Sequence, residues 1–220
     1  MTERRGRFLT FEGVDGSGKS TQMRLLVARL RAGGREIEET VEPGGTAIGR
    51  QIRRVLLHAA NQEIAPVTEL LLYFASRAQN VEERIRPALE QGKIVVSDRY
   101  TDSTLVYQGL ARGLGEEVVR KLHEIACRGL QPDLTICIDI DPGAGLARAR
   151  SRNSERRGDE ARETRMDEQS MDFYRRVREG YRDLARREPG RYRMIDGARP
   201  VEEVAADVWH AVAPLLEADV

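Results

Sequence analysis

Gly13-Val14-Asp15-Gly16-Ser17-Gly18-Lys19-Ser20 decides how this chain is read. The stretch satisfies G-x-x-x-x-G-K-[ST]. It lies between an apolar run, Phe8-Leu9-Thr10-Phe11, that reads as a strand, and an amphipathic stretch, 22–32, that reads as a helix stopped by Gly33 and Gly34. Small residues in such a loop let successive backbone N–H groups curl around a phosphate at a helix N-terminus, where the dipole also favours anions. Lys19 adds a point charge for the β- and γ-phosphates, and the Ser20 hydroxyl can ligate Mg²⁺. With Thr21 the stretch forms the candidate ATP-binding element, and a phosphate loop of this kind is common to kinases, switches and motors.

Outward from the loop, short apolar runs alternate with amphipathic stretches, the pattern of βαβ units around a parallel sheet. Further strands are expected at 36–41, 94–96, 134–138 and 192–195, the two middle ones reading as strands buried on both faces. Residues 67–91 carry apolar side chains at helical spacing and predict one long helix bent near Pro87, and 201–216 a last helix. The fold class is therefore α/β, a doubly wound parallel sheet of about five strands flanked by helices. No repeat or linker divides it, so 1–220 is expected to be a single domain.

Composition narrows the function. The 36 basic and 36 acidic residues cancel, which points to no nucleic-acid or membrane partner. No apolar run is long enough for a bilayer span. The charged start, 1–7, runs straight into a strand without a signal-peptide core, and this predicts a cytoplasmic chain. Cys127 and Cys137 have no partners at metal-ligand spacing and read as small core hydrophobes. The basic residues include only three lysines, Lys19, Lys93 and Lys121, the rest being arginine. Many arginines gather in 144–165, including Arg148, Arg150, Arg152, Arg156, Arg157, Arg162 and Arg165, with few apolar residues after position 151. A long exposed insertion of this kind is either a mobile lid or disordered.

Asp98 and Arg99 follow the 94–96 strand and so emerge at its C-terminal end, where open α/β sheets bind ligands. An aspartate there can hold a metal water and an arginine there can clamp a second phosphate; an ion pair at a strand end is the plainer reading.

Taken in order, the phosphate loop, Glu42-Pro43-Gly44-Gly45-Thr46, Asp98-Arg99-Tyr100, Ser103-Thr104 and Tyr107-Gln108-Gly109 resemble the thymidylate kinase family over essentially the whole chain. The resemblance implies a homodimeric P-loop NTPase fold that transfers the γ-phosphoryl group of ATP to dTMP with Mg²⁺. It places Asp15 near the dTMP 3′-hydroxyl and acceptor phosphate, Arg99 on that phosphate and Asp98, with Ser20, near the metal. Arg77 would span phosphate and thymine, with Tyr73 where the family has a stacking phenylalanine and Phe74 left to the core. Ser103 and Thr104 would meet the thymine edge, Tyr107 would pack against C2′ and Gln108 would support the base. Val41 stands where the family commonly has an arginine. The family places its catalytic arginine in the phosphate loop or in the lid. Gly16 makes this chain similar to the lid type, with the lid at about 145–165, Arg148 toward ATP, Arg152 catalytic and Arg165 preceding the next helix. No general base is expected, and His58, His123 and His210 fall on predicted helices away from the loop. The alternatives are a P-loop kinase for another deoxynucleoside monophosphate, which needs no Ser103, Thr104 and Tyr107 set, and a nucleotide-dependent switch, which needs no second phosphate clamp.

Overall fold

Alternation along β1 (Arg7–Glu12) sends Phe8 to one face of the sheet and Leu9 and Phe11 to the other, and each face carries its own core. The computed structural model describes residues 6–155, 163–166 and 168–217, and of 152–155 and 217 the backbone only. Strands β2 (Ile37–Val41), β3 (Ile94–Asp98), β4 (Leu134–Asp139) and β5 (Tyr192–Asp196) join β1 in one five-stranded sheet of order β2-β3-β1-β4-β5, every pair parallel. On one face α1 (Lys19–Ala32) and α9 (Val201–Glu217) cover Leu9, Phe11, Val96, Ile136 and Ile138. On the other, α3 (Pro66–Asn80), α6 (Glu116–Cys127) and α8 (Met171–Arg187) enclose Phe8, Val95, Cys137 and Tyr192. Both cysteines are free and buried, as small core hydrophobes should be.

The remaining helices are α2 (Ala47–Leu57), α4 (Arg86–Glu90), α5 (Thr101–Thr104), which runs on as a π-helical stretch over Leu105–Ala111, and α7 (Pro142–Glu155). The single helix expected over 67–91 is three pieces. α3 stops at Asn80, one π-helical turn spans Val81–Ile85, and α4 follows with Pro87 in its first turn. Proline has no N–H to give to the preceding turn, so the hydrogen-bond ladder is already shifted before it. His58 lies just beyond α2 as its C-cap, not on it, because Asn61 and Ala60 turn back onto it there.

The arginine-rich stretch also differs from a wholly exposed insertion. Its first part is the helix α7, anchored by buried Leu146 and Ala149. Its end, 163–166, is fastened down, with Arg165 only 2% exposed. The side chain of Arg152 and all of Arg156, Arg157 and Arg162 lie outside the described residues.

Candidate active site

The phosphate loop leaves the C-terminal end of β1 and turns into α1. Gly18, the N-cap of α1, sits at φ 98°, a left-handed conformation that a side chain would strain. Gly16, at φ 73°, touches the first turn of α7: a Cβ there would lie 1.9 Å from the Gly145 carbonyl oxygen. Lys19 is buried and donates from Nζ to the carbonyls of Gly13 (3.0 Å) and Val14 (2.9 Å), which holds the ammonium over the loop. Burial and the Arg99 charge push it down to about 8, while Asp15, Asp98 and Glu12 oppose the shift.

Two cavities meet at this loop. The larger, about 530 Å³, is lined by Gly16, Gly18, Lys19, Ser20, Thr21 and Asp98. The smaller, about 130 Å³, is lined by Tyr73, Arg77, Ser103, Thr104, Tyr107 and Gln108. Asp15, Glu42, Arg53, Arg99 and Glu163 line both, so the two spaces share a wall. In that wall Arg99 donates from Nη2 to Asp15 Oδ1 at 2.7 Å, and Tyr107 Oη donates to Asp15 Oδ2 at 3.3 Å. At the β3 end of the larger cavity, Ser20 Oγ donates to Asp98 Oδ2 at 2.7 Å, which puts two hard oxygen donors side by side.

Around the smaller cavity the aromatic pair divides cleanly. Phe74 is buried in the core beside Phe8 and Tyr100, whereas half-buried Tyr73 faces the cavity. Burial raises the Tyr73 hydroxyl to about 12. Arg77 is almost wholly buried; it pairs through Nε with Glu42 and donates from Nη2 to the Tyr100 carbonyl (3.1 Å) and Thr104 Oγ1 (2.9 Å). Among the described residues its Nη1 has no hydrogen-bond partner, the more notable because a buried guanidinium ordinarily satisfies its donors. Ser103 Oγ is tied to Glu12 Oε2 and to Arg99 rather than left open to the cavity. Gln108 Nε2 donates to Glu69 Oε1 at 2.8 Å. Of the arginines expected to form a lid, Arg148 is exposed on α7. His123 is buried under α5 and His210 lies on α9, neither lining the cavities.

The architecture and this constellation agree with what known proteins show. The thymidylate kinase family model matches residues 11–208. The chain belongs to the thymidylate kinase family. A thymidylate kinase of Pelobacter propionicus is 50% identical over 200 residues, covering 91% of this chain and 90% of that protein. Another, of Nitratidesulfovibrio vulgaris strain DP4, is 48% identical over 209 residues, covering 95% and 93%. The crystal structure of thymidylate kinase from Ehrlichia chaffeensis superposes with a TM-score of 0.75 at 32% identity, covering 95% of this chain and 99% of that one. The doubly wound sheet is thus that of a P-loop NTPase, and the chain is a kinase, a phosphotransferase.

Three groups of this thymidylate kinase site escaped sequence reasoning. Glu12 is fully buried and accepts hydrogen bonds from the N–H groups of Tyr100 and Ser103 and from two hydroxyls. Burial pushes its carboxyl up to about 7 against the pull of Arg99, with Asp102 adding to the rise. Glu69, equally buried, gathers Arg112, Arg165 and Gln108 beneath the smaller cavity. Burial tends to raise its carboxyl, but hydrogen bonds from Arg112 and Gln108 outweigh that and hold it low. Arg53 reaches from α2 to Glu163 (2.8 Å) and the Pro43 carbonyl (3.0 Å), tying the end of the arginine-rich stretch to the wall of both cavities. The alternation of β1 was the available clue to Glu12. Arg165 looked solvated because its partner Glu69 lies far off in sequence.

Proposed function

We infer that this kinase transfers the γ-phosphoryl group of ATP to dTMP, giving ADP and dTDP, a step in dTTP synthesis. The shared wall carries this reading: Asp15 and Arg99 stand between the phosphate-loop cavity and a second cavity lined by two tyrosines and a buried arginine. The reading gives the larger cavity to ATP on residues 13–21, with Arg148 toward the nucleotide, and the smaller to dTMP. Arg99 then clamps the acceptor phosphate, Asp15 lies near the 3′-hydroxyl and Tyr73 stacks on the thymine. The unpartnered Arg77 Nη1 suits the carbonyl-rich edge of that base, with Thr104, Ser103 and Gln108 around it. Tyr107 fills the space a 2′-hydroxyl would need.

Phosphoryl transfer asks mainly for positioning and charge neutralisation. A phosphate monoester has a second pKa near ~6 and is already an anion at neutral pH, so it needs no general base. Lys19 and Arg99 hold donor and acceptor in line across the wall, and Arg152 of α7 is our choice for the arginine that completes the site on lid closure. Ser20 and Asp98, two hard oxygen donors 2.7 Å apart, fit Mg²⁺ and would hold it. When bound, the ion neutralises charge on the β- and γ-phosphates.

We also propose a cytoplasmic homodimer with neither membrane nor nucleic-acid partner. Three adjacent helices carry exposed apolar pairs on one face each: Ile48 and Val55 on α2, Val67 and Leu71 on α3, Val118 and Ile125 on α6. Among the described residues no helix is long and apolar enough to cross a membrane.

A coupled assay for ADP tests the reading. ADP should form rapidly only when dTMP is added. Equal specificity for another deoxynucleoside monophosphate would move the acceptor assignment, and ADP release without any acceptor would indicate a hydrolysing switch.

A further inference from the structure

Glu12 is a buried acid with no place in the reaction described above. It lines neither cavity, so reacting atoms do not reach it. Alternation along β1 puts it on the same sheet face as Phe8 and Thr10, the face covered by α8. Its Oε2 lies 2.5 Å from Ser103 Oγ and 2.8 Å from Tyr181 Oη. Those same hydroxyls lie 2.9 Å and 3.2 Å from Arg99 Nη1. A guanidinium can only donate and an ionised carboxylate can only accept, so with Glu12 ionised each hydroxyl gives its hydrogen to Glu12 and takes one from Arg99. Both relays are therefore polarised in one direction. They commit the Nη1 side of Arg99 to the interior and leave the Nη2 side at the wall shared by the two cavities, beside Asp15.

The backbone of Arg99 is held from the same place. Arg99 has φ 72°, left-handed and uncommon for a residue with a long side chain. Its N–H donates to the Phe11 carbonyl at 2.9 Å, one residue before Glu12. Glu12 Oε1 takes the N–H groups of Tyr100 (2.8 Å) and Ser103 (3.2 Å), the residues that follow it into α5. One carboxylate thus grips the turn on which Arg99 stands and the hydroxyls that aim its side chain.

We propose that Glu12 is a positioning residue for phosphoryl transfer, fixing through Ser103 and Tyr181 the orientation in which Arg99 meets the acceptor phosphate. The proposal rests on Arg99 being the acceptor clamp, and deepens that reading by assigning what aims the clamp.

The test is steady-state kinetics of Glu12→Gln, Tyr181→Phe, Arg99→Ala and the Glu12→Gln/Arg99→Ala double variant. Glutamine keeps the shape but cannot accept on both sides. Phenylalanine removes one relay hydroxyl and leaves the ring in place. Each should raise the dTMP KM by about 10- to 100-fold, the worth of a hydrogen bond to a charged group, with the ATP KM within about twofold of wild type. In the Arg99→Ala background Glu12→Gln should add little, because its effect passes through the missing guanidinium. Equal shifts in both Michaelis constants, unchanged kinetics, or full additivity in the double variant would overturn the proposal. If Glu12→Gln does not fold, Tyr181→Phe and its own double variant with Arg99→Ala carry the same comparison. The wild-type assay judges the functional reading separately. Were dTMP not a substrate, the same ratios would be read from inorganic phosphate affinity by calorimetry, with the same outcomes supporting or overturning the role of Glu12.

Discussion

Tyr107 does two separable things in the smaller cavity. Its ring packs edge-on against Phe173 and Tyr181, with centroids 5.9 Å and 6.5 Å away, and its hydroxyl reaches Asp15. Removing the ring should open the space beside C2′, so Tyr107→Ala is expected to narrow the preference for dTMP over its ribose counterpart by about 10- to 100-fold. Tyr107→Phe keeps the ring and should keep the preference. The ratio of specificity constants for the two substrates measures both, and equal ratios in all three proteins would place 2′ exclusion elsewhere. Two other buried groups set a pH signature of opposite sign. Burial lowers His123 from 6.5 to about 4, assisted by Arg77, and raises Glu12 from 4.5 to about 7. His123 therefore contributes stability that is full above pH 6.5 and lost as pH falls toward 4. The Glu12 contribution is full below pH 4.5 and lost as pH rises through 7. Between pH 6.5 and 5 the two trends oppose each other in the wild type. Relative to wild type, the Tm of His123→Gln should rise on acidification across that window, and that of Glu12→Gln should fall. Scanning fluorimetry at several pH values checks this, and variants that track the wild type would show that neither group titrates as stated.

α7 ties the arginine-rich stretch to the phosphate loop. Gly145 packs on Gly16 in its first turn, and position 152 lies two turns further on the same helical face, about 10 Å along the axis. Arg152→Ala should lower turnover by about 10² or more while the ATP KM changes far less, since the contact forms mainly in the transition state. Arg157→Ala, in the part that reads as inserted, should be tolerated. A silent Arg152→Ala with a crippling Arg157→Ala would shift the register of the lid, and turnover numbers alone decide it. The helices also show where sequence reading stops. The strand and loop around 8–20 were legible because apolar period and loop chemistry are local. The segment 67–91 was legible as helix, but the π-turn before Pro87 was not, since periodicity in side chains does not report the hydrogen-bond ladder. Arg165 and Glu69 were unreadable because a charged residue reveals burial only through its partner, here one far away in the sequence.

For the molecule as a whole, the exposed stripes of α2, α3 and α6 form the testable surface. Leu71→Asp puts a carboxylate in the middle of that apolar face and should convert a dimer into a species of the chain's own 24.8 kDa at micromolar concentration, read by light scattering. A wild type already at that mass would remove the homodimer proposal. Strand order, with β3 and β4 flanking β1, is not written in the apolar pattern, which reports elements and not their neighbours, but the ligand crevice at the strands' C-terminal ends was legible in outline from Asp98 and Arg99 after the β3 run. Its shared wall was not, because Asp15, Glu42, Arg53, Arg99 and Glu163 come from five separate stretches. The contact between Gly16 and Gly145 reaches beyond this chain's present chemistry. Neither position can take a side chain while the backbone across from it stays where it is: a Cβ on Gly16 meets the Gly145 oxygen, and one on Gly145 comes 2.6 Å from the Asp15 oxygen. An arginine introduced at position 16 would have to push α7 aside, the helix that carries Arg152, our choice for the catalytic arginine. On the reading that Arg152 acts from the lid, moving that charge into the loop is therefore a coordinated change, in which Gly16→Arg must be joined by a shift of the first turn of α7.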